Sequence, residues 1–304
     1  MKKIIIFIMM VTAGGCLCYG AFSKDDAGTS GAQFLKLGAG GRASALGNSY
    51  AAVADDSTAV YWNPAGINNV KNVSVCVSHN IMFESIFYDW VSGVKKFGFG
   101  TVGIGVQYLS YGSIVERDDT GLELGSFKPN DIAISLSYGR KISDLLVGIN
   151  AKYISSKIKD SATAFATDIG GMYKFDGDKV TLGLALQNIG TKMKFEDEEE
   201  KLPMNVKLGG AYNIRKNWFV AVDVNAPSDD EINIGAGTEY AYRLNKEINI
   251  SGRAGYSTAL RDTGGLNGLT AGLGAGYSGY ALDYAFVPFG DLGQTHRISL
   301  GIKF

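Results

Sequence analysis

The chain has 304 residues, 46% of them hydrophobic, a net charge of -1, 41 glycines, 16 tyrosines and 5 prolines. A near-neutral charge argues against nucleic acid or another polyanion as partner. Glycine at this level without a G-X-Y period is unusual for a soluble enzyme, and the length allows either two soluble domains or one closed β structure.

Lys2 and Lys3 precede an apolar run, 4–11, followed by small residues. Residues 1–20 therefore read as a secretory signal, too short to span a membrane as a helix, with cleavage after Gly20. Processing as a lipoprotein at Cys16 is the alternative. After cleavage at Gly20 only Cys76 is left, so no intramolecular disulfide can form. Residues 21–37 are polar and mixed, and read as an extended periplasmic lead. Lead and plug together occupy 21–70.

Residues 38–66 contain an Ala-rich helical pattern over 42–54 and a polar turn, Tyr61-Trp62-Asn63-Pro64-Ala65-Gly66. The stretch has too few large apolar side chains to build its own core, so it is expected to sit inside another element as a plug. Arg42, Asp55 and Asp56 are candidate tethers to lumen charges, and so candidate gating residues. The aspartates also suit local backbone hydrogen bonds at a helix end. Tyr61 and Trp62 are expected to anchor the plug against an inner wall. Asn63 can bond its own backbone and Pro64 sets a turn, with Gly66 completing the motif.

From residue 73 onward the hydropathy period is two, the spacing at which strand side chains reach the same face. Fourteen such runs follow: 71–79, 85–96, 99–111, 130–140, 144–157, 163–176, 179–189, 203–214, 217–226, 231–243, 246–257, 268–278, 280–288 and 295–304. Short and long connections alternate between them, as in barrels with short periplasmic turns and longer outside loops. The small or polar face carries Lys152, Asp168, Lys207, Asp223, Glu239, Arg253, Asp283, Arg297 and Lys303. Charges of mixed sign cannot fill a dry core cheaply, so these line a lumen and the apolar face meets lipid. Tyrosines near strand ends, such as Tyr108, Tyr138, Tyr173, Tyr212 and Tyr240, suit interfacial girdles. The predicted fold is all-β: a transmembrane antiparallel β-barrel of about 14 strands over 71–304, with a small N-terminal plug containing a short helix. On this assignment, arginine at Val147 on the lipid face costs about 2–4 kcal/mol, and alanine at Asn150 on the lumen face costs much less. The final alternation through Ile302 to Phe304 resembles the C-terminal signal read by barrel-assembly machinery.

Gly41-Arg42-Ala43, Ala45-Leu46-Gly47, Ala54-Asp55-Asp56 and Tyr61-Trp62-Asn63-Pro64-Ala65-Gly66 together resemble the N-terminal signature of the PorV/PorQ family. These are outer-membrane barrels related to the long-chain fatty acid transporter FadL. The resemblance implies a bacterial outer-membrane location, with lipid as surroundings, and uptake of hydrophobic small molecules through plug rearrangement. For that route Gly103/Gly105 and Gly170/Gly171 are candidate strand breaks. The PorV branch implies instead an interaction role with secretion-system proteins in type IX secretion, from which the compact outside loops depart.

Catalytic chemistry is not expected. Gly38-Ala39-Gly40-Gly41-Arg42-Ala43 imitates a dinucleotide fingerprint, but no strand–helix repeat follows it, so no cofactor is implied. His79 and His296 have no neighbours at zinc-ligand spacing, no metal site is expected, and no acid, base and nucleophile set is visible. The acidic run 196–200 reads as a solvated outside loop, or as a site for divalent cations.

Overall fold

The computed structural model describes residues 28–83, 85–195, 198–263, 268–289 and 293–304. The expected signal, the start of the lead and the first half of the acidic run lie outside these residues.

Among the described residues, eighteen strands follow the plug: β1 (Val73–Ile81), β2 (Phe87–Phe97), β3 (Gly100–Ser110), β4 (Ile114–Arg117), β5 (Glu123–Phe127), β6 (Asn130–Ile142), β7 (Leu145–Lys157), β8 (Ser161–Phe175), β9 (Val180–Gly190), β10 (Met193–Phe195), β11 (Glu198–Glu200), β12 (Asn205–Arg215), β13 (Trp218–Pro227), β14 (Asn233–Arg243), β15 (Ile248–Ser257), β16 (Leu269–Tyr277), β17 (Tyr280–Pro288) and β18 (Gln294–Lys303). Fourteen of them close one antiparallel barrel, in which β1 pairs with β18. Each predicted run is one of these strands, with ends shifted by no more than two residues. The remaining four form two hairpins, β4–β5 and β10–β11, inside long connections. Sequence periodicity missed both, because strands of three to five residues are too short to establish a period.

The short connections are tight turns. Ser278 (φ 47°) and Gly279 (φ 90°) are both left-handed, as a two-residue hairpin turn matched to strand twist requires. Along the strands burial alternates residue by residue. The outward set includes Ile104, Leu136, Ile149, Val222, Leu273 and Leu300, all exposed. A continuous apolar belt of this extent is untenable in water. In lipid it is the favoured surface, and closure pairs the edge strands that lipid would otherwise meet. Tyr138, Tyr212, Trp218, Tyr240, Tyr277 and Tyr280 are exposed near the short-turn end, while Tyr153, Tyr256 and Tyr284 are exposed on the other half of the wall. Tyr108 and Tyr173 are only half-exposed.

The plug differs from the continuous 42–54 helix expected. Only Gly41–Ala45 is helical. Gly47 (φ 65°) and Asn48 (φ 63°) then take left-handed conformations that no α-helix accommodates. A second helical turn, Ala59–Trp62, leads into a 3-10 turn, Pro64–Asn69.

Candidate functional site: the plugged lumen

The chain enters the lumen from the end that carries the long connections. There the Gly31 N–H donates to the Lys201 carbonyl (2.9 Å), Gln33 Nε2 donates to Asp229 Oδ2 (2.7 Å), and Lys36 Nζ pairs with Asp229 Oδ1 (2.7 Å). The plug then runs through the barrel to the short-turn end. Asn68 Nδ2 donates to the Val147 carbonyl (3.0 Å), and β1 starts beside the C-terminus, with Val73 and Phe304 exchanging backbone hydrogen bonds. Residues 28–37, expected as an extended lead, sit among the long connections, opposite the short turns. Composition could not reveal this, because a polar segment suits either aqueous end.

Glycine lets the plug backbone lie against the wall. A Cβ at Gly139 would stand 2.8 Å from Ile67 Cγ1, one at Gly170 2.9 Å from Pro64 Cδ, and one at Gly237 2.7 Å from Leu46 Cα. Gly139, Gly148 and Gly170 are register neighbours on β6, β7 and β8. Gly183 and Gly209 likewise pair across β9 and β12, beneath Ala51 and Ala52. Three of the four candidate strand-break glycines, Gly103, Gly105 and Gly170, belong to the same packing layer. Gly103 and Gly105 face Val60, Gly170 faces Asn63 and Pro64, and β3 is paired along its length with both neighbours.

Charges tie the plug to the wall. Arg42 grips Glu239 through Nε (2.7 Å) and Nη2 (3.0 Å), while its Nη1 meets Asp55 Oδ1 (2.6 Å) and the Tyr50 hydroxyl (2.9 Å). Glu239 also accepts from Arg253 Nε (2.5 Å), and Arg253 reaches Asp283 (2.7 Å). Lys303 pairs with Asp55 (3.2 Å). Arg297 donates to Ser44 Oγ (2.7 Å) and the Gly38 carbonyl (3.3 Å), and Asp223 accepts from the N–H groups of Tyr50 (2.9 Å) and Ala51 (2.8 Å). Desolvation alone would raise the Asp55 carboxyl, but Arg42 and Lys303 outweigh it and hold the group well below the usual carboxylate range. This tether is therefore present above the unfolded-state pKa of Asp55 and is lost only as pH falls through the lowered folded value.

The other plug residues fix local shape. Asp56 Oδ1 accepts from the Thr58 N–H (2.9 Å) and its Oδ2 from the Tyr50 hydroxyl (3.0 Å). The Tyr61 hydroxyl donates to the Leu35 carbonyl (3.2 Å) and Trp62 Nε1 to the Ala39 carbonyl (2.8 Å). Asn63 donates to the Ala51 carbonyl (2.8 Å) and accepts from the Ala65 N–H (3.1 Å), which places Pro64 in its turn. Gly66 passes the Ala54 carbonyl where a Cβ would stand 2.7 Å from the oxygen. Lys152 and Asp168 form a buried pair (2.7 Å), and Lys207 lies over the Trp62 ring (5.0 Å). Ile302 pairs with Val75 and Tyr280, and Phe304 is exposed at the short-turn end.

Nothing in the sequence singles out Tyr50 or Ser299, and Asn150 enters there only as a lumen-facing residue that is cheap to replace. Asn150 shares the inward face with Lys152, and that parity was the available signal. It donates to the Val60 carbonyl (2.7 Å) and to Asp168 (2.8 Å) and accepts from Ser137 (2.5 Å). Ser299 Oγ accepts from the Gly41 N–H (2.5 Å).

On the short-turn side, cavities of about 320 and 390 Å³ meet at Arg42, Asp55 and Glu239, and Cys76 lines the first. Cys76 is buried and so reports on plug movement. Arg42→Ala is expected to speed maleimide labelling of Cys76 by about tenfold, the factor that ~1.4 kcal/mol of easier local opening produces. An unchanged rate would show that Arg42 does not hold the plug.

A family model described as Type IX secretion system protein PorV matches residues 22–228. No curated protein sequence matches the chain. Among solved structures, the Pseudomonas putida toluene transporter TodX is similar at 12% identity with a TM-score of 0.59, over 87% of this chain and 96% of that one. The Ralstonia pickettii toluene transporter TbuX is similar at 13% identity and 0.56, over 88% and 98%. A Pseudomonas aeruginosa FadL homologue is similar at 11% identity and 0.51, over 84% and 96%. At these identities the likeness is one of fold.

Proposed function

Because the chain belongs to the family of the type IX secretion system protein PorV, we propose that it is an outer-membrane barrel of the bacterial cell that serves protein secretion through its outer surface. The observation that carries this reading is the filled lumen. The plug is packed against wall glycines and tied through Arg42, Glu239, Arg253 and Asp283, so the resting barrel offers no route for bulk solute. Its accessible features are the long connections, two of which carry the β4–β5 and β10–β11 hairpins. The barrel has no catalytic part in this role. Replacing residues 114–127 with a short Gly-Ser linker is expected to leave the barrel assembled in the outer membrane and to stop release of type IX cargo from the native host. Full secretion by an assembled variant would overturn the proposal.

A second reading, a channel for hydrophobic small molecules, has its own support. Phe34 and Leu35 of the lead belong to one packed apolar cluster with Leu109, Ala133, Ile154 and Met193 near the long-connection end. A hydrophobic solute has the chemistry to take their place. Toluene uptake into proteoliposomes that rises in Arg42→Ala would favour this reading over the first.

A further inference from the structure

Above the plug, on the long-connection side, lies a cavity of about 150 Å³ whose chemistry differs from the apolar cluster beside it. This is roughly ten times the space one water requires. Six neutral amides line it, Asn48, Gln187, Asn188, Asn205, Asn225 and Asn233, together with one carboxylate, Asp230, whose Oδ1 accepts from the Glu231 N–H (2.8 Å). The amides come from the plug and from β9, β12, β13 and β14, so the fold, and no single motif, gathers them.

Some of their hydrogen-bonding capacity is used internally. Gln187 Nε2 donates to the Tyr61 carbonyl (2.6 Å), Asn188 Nδ2 to the Pro203 carbonyl (2.9 Å), and Asn225 Nδ2 to Asn233 Oδ1 (3.1 Å). Some is left over. Asn48 Oδ1 and Asn205 Oδ1 are enclosed and accept from nothing among the described residues. Asn48 is held at φ 63° beside Gly47, a backbone conformation uncommon outside glycine and tolerated best by asparagine. The cations at the cavity are already engaged. Lys207 donates to Asn225 Oδ1 and lies over Trp62, with Asp223 as its electrostatic partner, and Lys36 is paired with Asp229.

We propose that this cavity binds a neutral, hydroxyl-bearing ligand of about monosaccharide size that enters from the long-connection end. An amide side chain both donates and accepts, as a hydroxyl does, so a polyol satisfies this lining without a counter-charge. A hydrocarbon would leave buried amides unpaired, which burial penalises. A carboxylate would find the lysines already balanced. The ligand is either a free sugar or the end of a glycan chain, and both present the same hydroxyls.

Saturation-transfer NMR on the full chain in detergent micelles tests this. The probes are a mixture of glucose, galactose, mannose and N-acetylglucosamine, then maltoheptaose, octanoate and triglycine separately. At least one sugar is expected to receive saturation. Asn233→Leu and Asn205→Leu are expected to weaken its binding by about tenfold or more, as the loss of a matched polar contact does. Asn217→Leu, at the short-turn end, is expected to leave it unchanged. Matching thermal unfolding of all variants separates loss of the site from loss of the fold. Tighter binding of maltoheptaose identifies a chain end and equal binding a free sugar, and both support the site. No saturation of any sugar, equal binding in the β12 and β14 variants, or binding of octanoate or triglycine alone would overturn it. Secretion and toluene uptake are separate readouts, so the fate of this site is independent of both readings above.

Discussion

Replacing Lys152 with methionine is expected to destabilise the reconstituted barrel by about 3–5 kcal/mol, the cost of stranding one member of a buried ion pair. The Lys152 side chain is 3% exposed and that of Asp168 0%. Asp168 would keep hydrogen bonds from the Asn188 N–H (2.8 Å) and Asn150 Nδ2 (2.8 Å) but lose its only salt-bridge cation among the described residues. Lys152 also donates to Asn188 Oδ1 (2.8 Å), which would be left unpaired. Asn188 sits at φ 60°, where the β8–β9 register shifts, so the damage falls on an irregular part of the wall. The comparison is Lys159→Met, which breaks an ion pair with Glu116 whose partners are 57% and 36% exposed. That change should cost no more than about 1 kcal/mol. The double variant Lys152→Met/Asp168→Leu should recover much of the loss, because removing both charges avoids the stranded one. Urea unfolding in lipid vesicles measures all three. Equal costs for Lys152→Met and Lys159→Met would show that the lumen pair is solvated.

Leu136→Arg is expected to cost about 2–4 kcal/mol in a bilayer. Leu136 lies at the centre of β6, points outward and is 59% exposed. It is a sharper probe than Val147, which is the third residue of β7 and lies close to the short-turn interface, where the penalty for arginine falls to about 0–1 kcal/mol. The companion expectation, that Asn150→Ala costs much less, also needs correcting. Asn150 is fully buried and makes three hydrogen bonds that link plug, β6 and β8. Its loss should cost about 1–3 kcal/mol through unpaired buried groups. The face assignment is therefore tested by direction: Leu136→Arg should be harmful only in lipid, whereas Asn150→Ala should be harmful in lipid and detergent alike. A detergent-insensitive Leu136→Arg would place Leu136 away from the lipid.

Asn150 costs more to lose than face parity predicts because the lumen face meets the plug and not water. Alternation reveals which residues share a face, but not what fills the space in front of them. Here the filling is the chain's own plug. The same reason left Tyr50 and Ser299 unmarked: the hydroxyl of Tyr50 joins Arg42 to Asp56, and that of Ser299 caps the Gly41 N–H. Both roles exist only once the plug is seated. The β10–β11 hairpin behaved differently. Within the acidic run 196–200, Glu198 and Glu199 are exposed, as a solvated loop requires, but Met193 on the neighbouring strand of the hairpin is buried in the apolar cluster with Phe34.

The number of barrel strands, their ends to within two residues, and the inward or outward sense of their side chains were determined by the sequence alone. They follow from a period of two and from turn residues, both of which act between near neighbours along the chain. The low apolar content of 38–66 likewise marked it as a segment in need of an enclosure. Tertiary structure decided the rest: which end the lead occupies, which wall glycines face the plug, and which charge meets which. Arg42 and Glu239 are 197 positions apart, and Arg297 and Ser44 253 apart. No local pattern encodes such pairings. They arise when barrel closure brings distant strands round a single buried segment, and every buried charge must then find a partner among whatever that geometry supplies.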